Sequence, residues 1–167
     1  MDLAAAAKPI TKRVTLSRTL ADDLETPISA FLKLCPAGPA FMLESAAGGE
    51  QVARYSFLGY NPFLTLKAGG VNVELQWRDG LRETRSDGPF QVLRQLMEEY
   101  AIKFQADMPR FSGGAVGYFS YDLVSLLEPV GELPADELAL PAAYLQFMEN
   151  MVIFDHFTHK IHLTVNR

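Results

Sequence analysis

Three side chains within one short stretch have the types and spacing to do chemistry: Glu44, Ser45 and Arg54. Glu44 closes an apolar run, Phe41-Met42-Leu43-Glu44-Ser45, and Arg54 lies within a second one, Val52 to Leu58, beyond a Gly48-Gly49 connection. A carboxylate at the end of a buried-looking strand needs a partner or a water-filled edge. Arg54, across the predicted hairpin, is the obvious partner. If Glu44 stands opposite Arg54, the two share a face; a slip of one residue places Arg54 on the face of Ser45, because side chains alternate along a strand. The spacing does not choose between these registers. In either one, a carboxylate, a hydroxyl and a guanidinium gather at one hairpin and offer handles to both ends of an amino-acid zwitterion. The competing reading is an ion pair that only closes the hairpin.

Other chemistry-bearing residues are weaker. Gly113-Gly114 with Gly117 is not followed by the Lys-Ser/Thr of a phosphate loop and lacks the Gly-x-Gly-x-x-Gly order, so close backbone approach within a sheet is expected. His156, His159 and His162 do not make a zinc ligand set: period-two geometry separates His159 from His162, and His156 lies near a turn. Cys35 has no base that the sequence places beside it and reads as a buried helix residue. Tyr118 and Tyr121 read as core or interface aromatics.

The elements that must position these residues are legible from periodicity and turn signals. Thr26 supplies an N-cap and Pro27 a first helical residue, after which Ile28, Phe31, Leu32 and Cys35 recur at helical spacing until Pro36 stops the run. The strand-like runs around Glu44 and Arg54 follow. Asn61-Pro62 marks a turn before Phe63–Leu66, Gly69-Gly70 another before Val71–Trp77, and Asp79-Gly80 a hairpin turn into Leu81–Arg85. Five successive strands predict a meandering antiparallel sheet. A helix starting near Asp87-Gly88-Pro89 carries the stripe Val92, Leu93, Leu96, Met97 and Tyr100. Beyond it lie a Gly-rich strand at Phe111–Ser120, a short helical turn at Tyr121–Leu127, a loop at Gly131–Pro141, and a final hairpin from Tyr144–Asp155 and Lys160–Val165. The order of elements predicts an α+β fold, an antiparallel β-sheet with helices packed on one side. Residues 1–15 are expected to be a poorly ordered lead-in and 16–167 one domain.

Composition bounds the function classes. The chain has 167 residues, 49% of them hydrophobic and 21% charged, which suits one globular domain with a sizeable core. A formal charge of −5 with fifteen scattered Lys and Arg makes no phosphate-tracking stripe, so nucleic acid is not an expected partner. The Ala-rich start, Met1–Lys8, is too short for a signal-peptide core or a membrane helix, so neither export nor a membrane partner is expected. A single cysteine points to a reducing, cytoplasmic setting.

Leu43-Glu44-Ser45, followed by Arg54-Tyr55-Ser56-Phe57-Leu58-Gly59 and the Asn61-Pro62 turn, resembles the N-terminal signature of the anthranilate synthase component I family, with aminodeoxychorismate synthase component I as its near relative. The Thr26–Leu34 helix, the run Phe111–Asp122 and Val152-Ile153-Phe154-Asp155-His156 are similar to further landmarks of that family, in the same order, so the likeness extends from about Thr26 to the C-terminus. It implies the N-terminal, regulatory part of an enzyme that converts chorismate and ammonia to anthranilate and pyruvate for tryptophan biosynthesis. Ammonia comes from a glutamine amidotransferase subunit, component II. Mg²⁺ and the catalytic residues belong to a C-terminal region, so no catalytic residue is assigned here and the fragment alone is expected to be inactive. The Leu-Glu-Ser segment of the family lines the L-tryptophan feedback site. The resemblance therefore implies Ser45, Glu44 and Arg54 as inhibitor contacts. Enteric relatives have Lys where Arg54 stands, and the two cations are not interchangeable. Met42 replaces the commoner Leu, a volume-conserving change. Because the family's pocket also draws on the catalytic half, the fragment is expected to bind tryptophan weakly or not at all. The alternatives are the folate-branch enzyme and a stand-alone amino-acid-binding or interaction module.

Overall fold

The computed structural model describes residues 14–35, 37–44, 54–102, 106–131 and 135–167. Its strands form two antiparallel five-stranded sheets. The first has the order β1-β10-β9-β3-β2, from Thr15–Ala21 (β1), Ala40–Glu44 (β2), Tyr55–Tyr60 (β3), Asn150–Asp155 (β9) and Lys160–Asn166 (β10). The second has the order β6-β5-β4-β8-β7, from Leu64–Gly69 (β4), Asn72–Trp77 (β5), Arg82–Arg85 (β6), Gly114–Phe119 (β7) and Ala143–Met148 (β8). The α+β class stands, with more sheet than expected: the five strands predicted as one meander divide between two sheets, β2 and β3 in the first and β4, β5 and β6 in the second.

Two corners join the sheets. The run expected as one strand over Tyr144–Asp155 breaks at Glu149, where the chain leaves β8 and enters β9. Its neighbour turns in step. Tyr60 pairs with Asn150 in one sheet and Leu64 with Phe147 in the other, and between them Asn61 takes a positive φ of 53°. Strands that bend from one sheet into another are the usual way corners are made in orthogonal packings. Arg78 fastens both corners. Its Nη2 donates to Glu149 Oε2 at 2.9 Å, its Nη1 to the Asn61 carbonyl at 3.4 Å, and its backbone N–H to the Phe63 carbonyl at 3.0 Å.

The helices cover different parts of this scaffold. Helix α1 (Pro27–Leu34) opens with the expected Thr26 cap, and Ser29 completes a capping box: Thr26 Oγ1 accepts from the Ser29 N–H at 3.1 Å and Ser29 Oγ from the Thr26 N–H at 2.9 Å. The buried face differs from the predicted one. Ala30 and Phe31 pack with Leu58, Val152, Phe154 and Ile161, whereas Ile28 and Leu32 are exposed. Cys35 is the half-buried C-cap, one residue past the helix, and burial pushes its thiol pKa up. Helix α2 (Pro89–Glu99) places Val92 and Leu96, both fully buried, on Leu64, Leu66, Val73, Leu75, Leu145 and Phe147 of the second sheet; Met97, at the margin of its stripe, is exposed. A third cluster joins Met148, Met151 and Ile153 to Phe41, Phe57 and Phe111.

Two glycines are required by close approach. Gly117 lies on β7 against β8, and a Cβ there would overlap the Tyr144 carbonyl oxygen, in agreement with the sheet role expected of the Gly-rich run. Gly59 pairs with Phe41, whose ring occupies the space a Cβ would take. Tyr118 stacks on Tyr144 at 6.2 Å but stays exposed, as Tyr121 does at the start of a 3₁₀ helix (Tyr121–Leu126), so of the core and interface roles expected of them the core role is not the one formed. β1 begins at Thr15, the last residue assigned to the lead-in, and pairs along its whole length with β10; the rest of that lead-in up to residue 13 lies outside the described residues. No helix among the described residues is long and apolar enough to cross a membrane.

Candidate functional site

The end of the first sheet where β2, β3 and β9 meet gathers the polar residues. β2 is an edge strand, and Glu44, its last residue, is exposed rather than at the end of a buried strand. Pairing between β2 and β3 sets Glu44 opposite Ser56, so neither register considered from the sequence is the one formed. Ser45, the first-named inhibitor contact, lies outside the described residues.

Arg54 does not pair with Glu44. Its guanidinium forks onto Asp155 of β9, Nε donating to Oδ1 at 3.0 Å and Nη2 to Oδ2 at 2.6 Å. The reason lies in the sheet order: β3 sits between β2 and β9, and antiparallel pairing sets Tyr55 opposite Asp155. The same carboxylate caps the following turn, Oδ1 accepting from the N–H groups of Phe157 at 3.1 Å and Thr158 at 3.3 Å. Burial acts to raise the Asp155 pKa, but the hydrogen bonds from Arg54 and Thr158 outweigh it and hold the carboxyl at about 2, below its usual 3.8. Arg54 also lies 4.8 Å from the Tyr55 ring centroid and 5.6 Å from that of Phe157. For Arg54, then, the pairing is the structural kind, but with a carboxylate the sequence reading had not chosen.

Glu44 has a different neighbour. Ser56, 2% exposed, donates from Oγ to Glu44 Oε1 at 3.4 Å, and the same Oγ lies 2.7 Å from His156 Nε2. His156 is itself exposed, stacked on Phe154 and fixed by its backbone N–H, which donates to the Arg54 carbonyl at 2.9 Å. The arrangement thus presents an exposed carboxylate backed by a buried hydroxyl and an imidazole, beside a guanidinium whose charge is matched by Asp155. An exposed carboxylate on an edge strand suits an ammonium group, to which it offers two acceptor oxygens.

Ser56, Asp155 and His156 were not singled out as site residues from the sequence, although all three fall within the quoted motifs. Their convergence depends on the pairing of β3 with β9, about a hundred residues away, for which no local signal exists. The other histidines are dispersed: His162 Nδ1 lies 3.1 Å from Thr19 Oγ1, and His159 takes a positive φ of 51° in the β9–β10 turn. Among the described residues no group of three or more His, Cys, Asp or Glu side chains could hold a metal ion.

Comparison with known proteins bears on the chain as a whole. No family model matches the chain. Anthranilate synthase component 1 of Acetivibrio thermocellus is 37% identical over 144 residues, covering 86% of this chain and 29% of that protein. The protein of the same name from Neisseria meningitidis serogroup B is 32% identical over 158 residues, covering 92% of this chain and 32% of its own length. Among solved structures, anthranilate synthase component I from Streptococcus pneumoniae superposes with a TM-score of 0.55 at 29% identity, over 86% of this chain and 30% of that one. The chain therefore spans about three tenths of the length of the relatives it matches. By sequence and by fold, it is a homologue of anthranilate synthase component I, corresponding to a partial, N-terminal region of that family.

Proposed function

We propose that this chain is the inhibitor-sensing N-terminal region of an anthranilate synthase component I acting in tryptophan biosynthesis, and that the end of the β2–β3 pair contributes to an L-tryptophan feedback site. The observation that carries the reading is the exposed Glu44 carboxylate at the end of an edge strand, within a Leu-Glu-Ser motif of a chain homologous to that family. Glu44 receives the α-ammonium group and Ser45 adds a hydroxyl. Arg54 serves the site indirectly: its fork to Asp155 fixes the start of β3.

The chemistry lies elsewhere in the parent protein, where chorismate and ammonia become anthranilate and pyruvate, ammonia being delivered by the component II amidotransferase. Mg²⁺, when bound in that region, would supply positive charge to the reaction. Tryptophan held at the hairpin favours a conformation with a poorly formed chorismate site. By linkage chorismate opposes tryptophan to the same extent.

The test is feedback inhibition of the full-length protein. Ser45→Phe, each rate being taken relative to the same variant without tryptophan, is expected to abolish inhibition. Inhibition at the wild-type concentration of tryptophan would remove the site from this hairpin.

A further inference from the structure

Ser56 is buried to 2% exposure, yet its hydroxyl stands between two groups able to accept its proton, Glu44 Oε1 at 3.4 Å and His156 Nε2 at 2.7 Å. A serine hydroxyl has one proton to donate. Glu44 as a carboxylate can only accept. Whether Ser56 donates to Glu44 is therefore decided by the other neighbour: an imidazole with a proton on Nε2 donates to Ser56 Oγ and turns the hydroxyl toward Glu44, whereas a bare Nε2 claims the hydroxyl proton and leaves Glu44 unbonded.

From this we infer that His156, acting through the buried hydroxyl of Ser56, positions the Glu44 carboxylate, and that the two form a second tier behind the tryptophan contact. The inference rests on the reading of Glu44 as that contact. The scaffold suits the role. Ser56 is fixed by pairing on both sides, with Glu44 across β2 and Phe154 across β9, and the His156 ring is stacked on Phe154 at 6.4 Å with an interplanar angle of 19°. The Glu44 side chain stands at the exposed end of an edge strand.

The charged groups carried next to His156 are Glu44 on β2, Arg54 on β3, Asp155 before it and Lys160 after it. Arg54 and Asp155 offset one another through their fork, which leaves Ser56 as the link between the imidazole and Glu44.

The experiment measures inhibition of the full-length protein by L-tryptophan for wild type, Glu44→Gln, Ser56→Ala, Ser56→Thr, His156→Ala and the double variant Ser56→Ala/His156→Ala, each relative to its own uninhibited rate. Ser56→Ala is expected to weaken inhibition about tenfold, the effect of losing one hydrogen bond to a charged group, and Ser56→Thr to restore it. His156→Ala, at an exposed position, shifts the inhibition constant, and in the Ser56→Ala background it has no further effect, because the two groups act in series. Inhibition unchanged in His156→Ala overturns the inference even if Ser56→Ala fails to fold, as do additive effects in the double variant. If Glu44→Gln is inhibited like wild type, the underlying assignment of Glu44 falls and this one with it; loss of inhibition in Glu44→Gln with no change in the Ser56 and His156 variants overturns only the relay.

Discussion

Two buried carboxylates, at the two ends of β9, solve the same problem differently. Asp155, with a side chain 4% exposed, is held by both arms of Arg54 and by two backbone N–H groups of the turn that follows. Glu149, at the corner before β9 and with a side chain 11% exposed, meets Arg78 at 2.9 Å and Arg167 at 3.5 Å, one arginine to each oxygen. The first carboxylate organises the end of the sheet where Glu44 lies. The second joins two bends of the chain. An arginine beside an acid therefore does not mark a ligand site: Arg54, expected from the sequence as a tryptophan contact, is held by Asp155 through both arms, whereas among the described residues Glu44 receives a single long hydrogen bond from Ser56.

Substitutions should separate the two ends. Asp155→Ala is expected to have the largest effect, because it removes the fork and strands two turn N–H groups at once, about 3 kcal/mol. In thermal unfolding that corresponds to roughly 6 to 12 °C for a domain of this size. Glu149→Ala should cost about 1 kcal/mol, since Arg78 and Arg167 are 44% and 76% exposed and regain water when released. Equal losses at the two positions would break the distinction.

Acid titration sharpens it. With its folded pKa at about 2 and its ordinary value at 3.8, Asp155 stabilises the native state fully above about pH 4, and the contribution is lost as pH falls toward 2. Asp155→Asn should therefore flatten the acid side of the stability curve between those values, as read by chemical denaturation at successive pH. An unchanged slope would mean that the carboxylate is not held as the fork implies.

Most strands and both helices were legible because their signals are local: the Thr26-Pro27 cap, the Asp79-Gly80 turn, and the alternation of Val73, Leu75 and Trp77. What was not legible depends on distant pairing. β1 is an exposed edge with little apolar contrast, and it becomes a strand through β10, 151 residues away at Thr15 and Asn166. In the run from Tyr144 to Asp155 the polar pair Glu149-Asn150 marks the break, but a polar pair does not by itself say that the chain changes sheets there. Helix α1 buries small Ala30 rather than larger Ile28 and Leu32, since contact with β3 favours the face that lets the backbones approach. At the candidate site the sequence identified Glu44 and Arg54 but not their neighbours Ser56, Asp155 and His156, which are assembled by the sheet order β9-β3-β2.

If L-tryptophan is held at the exposed end of the β2–β3 pair, calorimetric titration of L-tryptophan into the full-length protein should show a saturable binding heat in wild type that disappears in Glu44→Gln and in Ser45→Phe. The same heat and affinity in both variants would place the tryptophan site elsewhere.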